Sequence, residues 1–339
     1  MTKKTTWAVP LMTKTSTMSI LYSRLEKAGL PHSFIRKFGL PSWWNEEFEQ
    51  DPSAPITAAG YLTKRLGLNL ASLLELERDI EFNLKLKPKL KCKNKTDLKK
   101  IHAAQAMAIR AAEMVAHAYR LAPIKLPREA KQIREHILLR NEFVNLDSLL
   151  IFCLSCGIPV FHFSSFPPGT HRMDGIAVEL DGRPVIAVTN NRTSMSWLLF
   201  IVAHELGHII HKHLKNNPFI VDTKAMSNNE DPKEIEANEF AEKILLGEFF
   251  AYPWSKDMNF SKLRDWIKKL SVEKKVEPGA LVWNYAWKTG NWGLATAVVQ
   301  SLEDESDIHN YVNSRLKNYL ELEKLDEDSQ EYLELTLGV

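Results

Sequence analysis

Residues 196–213 read SWLLFIVAHELGHIIHKH, and this stretch decides the fold of the second half of the chain. It predicts one long helix that is apolar over most of its surface. His204 and His208 are four residues apart, so their imidazoles share a helix face and can converge on one ion. Glu205 lies about 100° round the helix, within reach of a water on that ion. Zinc-dependent hydrolysis requires this separation between the residues that bind the ion and the carboxylate that reaches the water.

The residues around the HExxH motif indicate that its helix is buried. Three fixed residues also recur by chance in unrelated chains, so the motif depends on this context. The apolar side chains of the helix are Leu198, Leu199, Ile201, Val202, Leu206, Ile209 and Ile210. Buried histidines and a buried glutamate are costly unless they are paired or bound to metal. We therefore predict a Zn²⁺ site on this helix, with Glu205 as the catalytic residue.

A third ligand should come from the segment 234–242, which reads EIEANEFAE. Catalytic zinc sites keep three protein ligands and one open position. The segment predicts a helix on which Glu234, Ala237 and Asn238 share a face. Glu234 is the predicted ligand, with Glu236 as the alternative. Asn238 lies one turn later and is placed to hydrogen-bond a ligand histidine.

The other histidines carry less information. His211 lies seven residues after His204, roughly on the same helix face, and is a candidate for contact with substrate. His162, His171 and His213 are expected on the surface or as satisfied interior side chains.

The fold class predicted for the chain is α+β and mostly helical. A small β-sheet packs on the HExxH helix of a zincin-like peptidase domain, and a helical N-terminal domain precedes it. The sheet is predicted from a strand at 157–163 and from a hairpin at 174–189 around Asp181-Gly182. The predicted domains are 1–125, 126–300 and an acidic helical tail at 301–339. The second hairpin strand, 184–189, is predicted to offer an edge to an extended peptide.

Two features of the N-terminal half resemble elements that bind nucleic acid, but for each of them another interpretation is favoured. Residues 58–76 loosely resemble a helix-turn-helix, but 69–76 offer mainly Leu, Ala and Ser rather than base-reading side chains. A packing role is favoured. The lysine-rich run from Lys85 to Lys100 could bind phosphates, but a solvated basic connector is favoured over that function.

Composition excludes several classes of protein. The chain has 339 residues, 45% hydrophobic, with 44 basic and 42 acidic residues and a formal charge of +2. This near-equality of positive and negative charge gives no strong electrostatic field that would attract nucleic acids or membranes. We expect no signal peptide and no membrane span. Three cysteines cannot build a disulfide framework, so a cytoplasmic location is expected, with Cys153 and Cys156 as packed thiols.

The second half of the sequence resembles the ImmA/IrrE family of bacterial and phage metallopeptidases. Five elements in the same order carry the resemblance over roughly residues 130–300. They are GIPV at 157–160, DGRPVI at 181–186, AHELGHIIH at 203–211, EIEANEFAEKILL at 234–246 and PGALV at 278–282. One departure is that Leu246 is followed by Gly247-Glu248, where the family usually has Met-Pro.

The resemblance implies a gluzincin-like fold, zinc held by His204, His208 and Glu234, and Glu205 as general base. It also implies specific cleavage of a repressor or antitoxin, often encoded nearby, that relieves transcriptional repression after stress. A rival interpretation is a DNA-binding regulator or antitoxin-like module whose metal site is structural or degenerate. A third is a sensor whose N-terminal half gates the peptidase.

Overall fold

A computed structural model describes residues 17–83, 95–216, 219–222, 231–247, 254–255, 257–304 and 307–339. Most of the lysine-rich run lies outside these residues, as do Cys92 and the segment 248–253 that departs from the family pattern.

The described residues are mostly helical, as predicted. The helices in chain order are α1 Met18–Lys27, α2 His32–Phe34, α3 Ala54–Leu66, α4 Leu70–Leu74, α5 Lys95–Ala118, α6 Ala130–Leu138, α7 Leu146–Ser155, α8 Met195–Ile210, α9 Pro232–Leu246, α10 Phe260–Lys274, α11 Pro278–Thr289, α12 Trp292–Gln300, α13 Ile308–Lys317 and α14 Glu327–Leu337. Single turns of π- or 3₁₀-helix are Ile35–Gly39, Phe48–Gln50, His213–Asn216 and Leu322–Lys324.

One small sheet lies in the middle of the fold. Its strands are β1 Val160–His162, β2 Gly175–Leu180, β3 Arg183–Val188 and β4 Phe219–Asp222, in the spatial order β1-β3-β2-β4. The predicted hairpin is β2 and β3. Its turn residues Asp181 and Gly182 have φ values of 49° and 81°, the left-handed pair that tight hairpins favour. Strand β1 runs parallel to β3, and β4 runs antiparallel to β2.

The prediction that 184–189 forms a sheet edge is wrong. Strand β3 lies between two neighbours, because Ile186 is opposite Val160 on one side and Ala177 on the other. Its backbone groups are therefore used within the sheet. A proline at Ala187 would therefore disrupt the sheet. In the described part of the chain the outer strands are β1 and β4.

Helices cover both faces of the sheet. Along β3, Ile186 and Val188 point into an apolar core shared with α7 and α8. The alternate residues Val185 and Ala187 point into a second core shared with α5 and the N-terminal helices. This alternation follows from the two-residue period of a strand. The predicted α+β fold, with a small sheet on the HExxH helix, is confirmed.

The first and last parts of the chain share the second core. Leu62 of α3 and Tyr332 of α14 belong to the same apolar cluster. Arg65 is fully buried, and its guanidinium lies 2.5 Å from Asp328 Oδ1 and 2.8 Å from the Leu40 carbonyl. A buried charge requires such partners. The division at residues 125 and 300 stays a prediction, and apolar contacts cross both positions.

The segment that resembles a helix-turn-helix is built for packing. It consists of α3, a left-handed Gly67 with φ of 70°, and α4, which is only five residues long. Leu66, Leu68 and Leu73 are fully buried in the second core. The apolar residues that suggested the motif therefore stabilise the N-terminal helices.

Helix α8 is held at its first turn by polar groups. The Ser194 hydroxyl accepts a hydrogen bond from the Trp197 amide at 3.2 Å, the usual N-cap arrangement. The Glu303 carboxylate accepts hydrogen bonds from the amides of Met195 and Ser196 at 3.0 and 3.1 Å. A negative charge at a helix N-terminus is stabilising. The start of the HExxH helix is thereby fixed by a residue that follows α12.

Helices α8 and α9 approach closely because small residues face each other. A Cβ atom on Gly207 would lie 3.1 Å from both Cα and O of Ala237 and 3.2 Å from Cβ of Phe240. Helix α9 begins with Asp231, whose side chain accepts from the Lys233 amide at 3.0 Å, and with Pro232 in the first turn. The glycine of the HExxH motif thus sets the distance between the two helices that carry the site.

Gly207→Ala should lower the free energy of unfolding by about 1–3 kcal/mol, the usual cost of overpacking. The added methyl meets backbone atoms of α9 that cannot rotate away, and this outweighs a gain in helix propensity of about 1 kcal/mol. Urea denaturation measures the change.

Gly60→Ala is the matched control, since Gly60 is an exposed glycine within α3 and an added Cβ meets nothing within 4 Å. It should stabilise the protein by about 0.5–1 kcal/mol. Equal effects of the two substitutions would contradict the close approach of α8 and α9.

Candidate metal centre

Three side chains from α8 and α9 bring their ligand atoms together. His204, His208 and Glu234 each offer one atom, and these atoms all lie within 4.8 Å of one another. The two Nε2 atoms are 3.0 Å apart. The Glu234 carboxylate lies 3.3 Å from Nε2 of His204 and 3.5 Å from Nε2 of His208. All three residues are buried.

The outer nitrogen of each imidazole has its own acceptor. His204 Nδ1 lies 2.9 Å from Oδ1 of Asn238. His208 Nδ1 lies 2.8 Å from Nδ1 of His213, whose Nε2 lies 2.8 Å from Oε2 of Glu236. This network assigns the Nδ1 protons to His204 and His208, with His213 donating in turn to Glu236. Both Nε2 lone pairs then point toward Glu234.

His213 is the functional candidate that sequence reasoning missed. It lies five residues after His208, off the helical face of the motif, and was expected on the surface or as a satisfied interior side chain. Helix α8 ends at Ile210, and Lys212 takes the left-handed conformation with φ of 58°. This turn folds the chain back and brings His213 under His208. Nothing in the sequence identifies a lysine as the residue that adopts this conformation.

Electrostatics favour the charge states of a metal site. Burial lowers the pKa of His208 to about 4, and the hydrogen bond that a protonated ring would make to Glu234 offsets this only in part. Burial disfavours the ionised form of Glu234, but its contacts with His204 and His208 outweigh that effect and lower its pKa to about 2. A neutral His208 and an ionised Glu234 are the forms that bind metal.

Glu205 lies against the start of β2. It is fully buried, and an ideal Cβ on Gly175 would fall 2.5 Å from Oε1 of Glu205. The same Cβ would fall 2.9 Å from Cγ2 of Ile201. Only glycine at position 175 leaves this space for the carboxylate of Glu205. The first residue of a strand therefore positions the predicted general base.

Glu236 and His211, the two remaining predicted site residues, lie elsewhere. Glu236 is more than half exposed, and its carboxylate contacts His213 rather than the imidazoles of the motif. The geometry thus favours Glu234 over Glu236 as a ligand. His211 is at the exposed C-terminal end of α8, with its ring stacked on His213 at 5.6 Å. Its role in substrate contact stays a prediction.

The donor set fits a divalent ion with borderline-soft preferences. Two imidazole Nε2 lone pairs and one carboxylate, all buried and converging, match the ligand type and number of catalytic zinc sites. The hydrogen bonds from both Nδ1 atoms match the outer contacts that orient ligand histidines. An HExxH helix with a glutamate from the following helix defines a metallopeptidase-like domain.

Comparison with known proteins supports the resemblance predicted from the sequence. Residues 155–262 match the family model of the IrrE N-terminal-like domain, peptidase family M78. The match confirms the predicted resemblance to the ImmA/IrrE family for this part of the chain. The match covers about a third of the chain and includes β1 to β4, α8 and α9. A comparison with curated proteins finds no match.

Within the part of the chain that the structure describes, no helix combines the length and the apolar character needed to cross a bilayer. Cys153 and Cys156 are free and buried, as predicted for packed thiols. Burial raises the pKa of both thiols.

His213→Ala should weaken zinc binding by about 10- to 100-fold, the usual effect of removing a group that orients a ligand histidine. Without His213 the Nδ1 proton of His208 loses its acceptor. Competition with a chromophoric chelator measures the affinity.

His211→Ala is the control, since this neighbouring ring stacks on His213 at 5.6 Å. Its zinc affinity should equal that of the unsubstituted protein. An unchanged affinity of His213→Ala would show that the histidine contact is not needed for the site.

Proposed function

We propose that the protein is a zinc-dependent endopeptidase that cleaves a specific protein substrate. The observation that carries this proposal is the convergence of His204, His208 and Glu234 beside the buried carboxylate of Glu205. The family match supports peptidase chemistry for the same residues. Two histidines and one glutamate are a ligand set that catalytic zinc sites use.

In this mechanism the side chains of α8 and α9 divide the work. His204, His208 and Glu234 would hold the zinc ion, which when bound would supply Lewis-acid polarisation of the scissile carbonyl and a lowered pKa of the attacking water. Glu205 accepts the proton of the attacking water and returns it to the nitrogen of the leaving amine. Asn238 and His213 keep the two imidazoles oriented through their Nδ1 atoms. The absence of a side chain at Gly175 leaves room for the Glu205 carboxylate against the start of β2.

The proposed substrate is a transcriptional repressor or an antitoxin, and the product of a neighbouring gene is the first candidate. Support for this partner comes from the family resemblance alone. Cleavage would relieve repression in response to stress. We place the protein in the cytoplasm, where such substrates occur and where free thiols such as Cys153 and Cys156 persist.

The DNA-binding alternative has less support. The helix-turn-helix-like segment contributes Leu66, Leu68 and Leu73 to the core. A structural zinc site does not require a buried carboxylate such as that of Glu205 beside its ligands. Nucleic acid thus remains a secondary candidate partner.

Glu205→Gln should retain zinc and fold but lower cleavage by about 10²- to 10⁴-fold, the usual contribution of a general base. The assay incubates the purified protein with the neighbouring repressor or antitoxin, with and without a chelator, and follows fragments by mass spectrometry. Glu234→Ala is the companion variant and should lose zinc as well as activity. If Glu205→Gln cleaved at the original rate, the peptidase mechanism would be excluded.

Gly175→Ala should lower kcat/KM by about 10- to 100-fold while zinc content stays the same, because small displacements of a catalytic group have effects of this size. The added methyl displaces the Glu205 carboxylate without touching a ligand. Gly293→Ala in α12 serves as control, since its Cβ meets nothing within 4 Å. Normal cleavage by Gly175→Ala would show that Glu205 is not positioned by β2.

A further inference from the structure

A large cavity lies on the face of the sheet opposite α8, between α3, α5 and the tip of the β2–β3 hairpin. Its volume is about 1030 Å³, close to the upper end of the range of about 300–1,000 Å³ that small-molecule sites occupy. The apolar part of its wall includes Ala106, Ile109, Ala116, Val178 and Leu180. The cationic part consists of Lys64, Arg110, Arg120, Arg183 and Lys324. The cavity thus has the size of a small-molecule site and a wall rich in positive charge.

Two of these cations form no ion pair within the part of the chain that the structure describes. They are Arg120 and Arg183. Arg183 donates through Nη1 to the carbonyls of Leu121 and Gly157, at 2.5 and 3.1 Å. Arginine has further donors on Nε and Nη2. Both guanidinium groups therefore have charge and hydrogen-bond donors to offer a ligand.

The other three cations of the wall are already neutralised by carboxylates. The pairs are Lys64 with Asp328, at 3.1 Å, Arg110 with Glu113, and Lys324 with Glu321. A ligand would have to compete with these carboxylates for the cations. The positive charge that a ligand can use is therefore that of Arg120 and Arg183.

A pair of tyrosine rings holds the two arginines beside the cavity. The rings of Tyr119 and Tyr319 stack with centroids 5.8 Å apart. The Arg183 guanidinium lies 5.3 Å from the centroid of Tyr119, and that of Arg120 lies 5.1 Å from the centroid of Tyr319. Such cation–π contacts orient a guanidinium without neutralising it. Partial burial lowers the pKa of Arg183, and an adjacent anion would offset this effect.

The acidic residues of the wall favour a small anion over an extended one. Glu113 is paired, and Asp181 is exposed at the hairpin turn. Val178 and Leu180 face the core shared with α5, so the side chain of Glu179 between them points to the other face of the sheet. Nucleic acid binds through a series of cations that contact successive phosphates. Two unpaired arginines beside these acids suit a compact charge.

We propose that this cavity binds a small molecule with a di- or triphosphate group, which Arg120 and Arg183 hold. Arginine binds phosphate oxygens through two parallel hydrogen bonds, and two arginines match a group with several negative charges. A nucleoside triphosphate and inorganic tripolyphosphate share this chemistry. The site lies across the sheet from the metal centre and does not depend on the proposed peptidase function.

Calorimetric titration of the full chain with ATP and with inorganic tripolyphosphate tests the site. At least one of them should bind with a Kd of about 0.1 mM or lower. Inorganic phosphate has a single anionic group and should bind at least about tenfold more weakly. Tighter binding of ATP would identify a nucleotide as the ligand, and equal binding would identify the phosphate groups alone; both results support the site.

Arginine variants localise the binding. Arg120→Gln and Arg183→Gln should each weaken it by at least about tenfold, since each removes charge-assisted hydrogen bonds. Arg183 also bonds two backbone carbonyls, so Arg120→Gln, at an exposed position, carries the test if Arg183→Gln does not fold. Arg172→Gln is the matched control. This exposed arginine also lies over an aromatic ring, 5.6 Å from the centroid of Phe166, but does not line the cavity.

The remaining outcomes separate the cavity from other sites. Absence of saturable binding by both probes, an unchanged affinity of Arg120→Gln, or an equal loss in Arg172→Gln would overturn the proposal. Loss of binding in Glu234→Ala would place the ligand at the metal centre instead. Tighter binding of a single-stranded oligothymidylate than of either probe would make nucleic acid the occupant. Binding that is lost in Arg120→Gln and kept in Arg172→Gln and Glu234→Ala supports the site.

Discussion

The candidate site depends on the contact between α8 and α9 at Gly207 and Ala237. A Cβ atom on Gly207 would lie only 3.1 Å from the Ala237 backbone, which leaves no room for a larger residue. This approach brings Glu234 to the imidazoles of His204 and His208, and it brings Asn238 to the far side of His204. The ligand geometry is thus a consequence of helix packing, and the polar contacts follow from it.

The sequence predicts the parts of the site that obey helical periodicity. His204 and His208 lie on one regular helix and Glu234 and Asn238 on another, so a spacing of four residues predicts that the members of each pair share a helix face. The hairpin was predictable because Asp181-Gly182 is a strong turn signal. The family resemblance was recognisable because its motifs keep their order along the chain, and it is confirmed for residues 155–262.

Other features depend on tertiary contacts that one sequence does not reveal. The interior position of β3 results from its parallel pairing with β1, a non-local contact, so a strand that looked like an edge is buried. The contact of His213 with His208 results from a left-handed Lys212, a conformation that lysine rarely adopts. The requirement for glycine at position 175 results from the carboxylate of Glu205 lying across the first residue of a strand.

Strand β2 has a consequence for communication across the molecule. Ile176 belongs to the core formed with α5 and the N-terminal helices, whereas Gly175, its neighbour, touches Glu205. A single peptide unit thus separates the N-terminal half from the carboxylate expected to move the proton. A shift of β2 caused by the N-terminal helices would therefore move the backbone against which Glu205 packs.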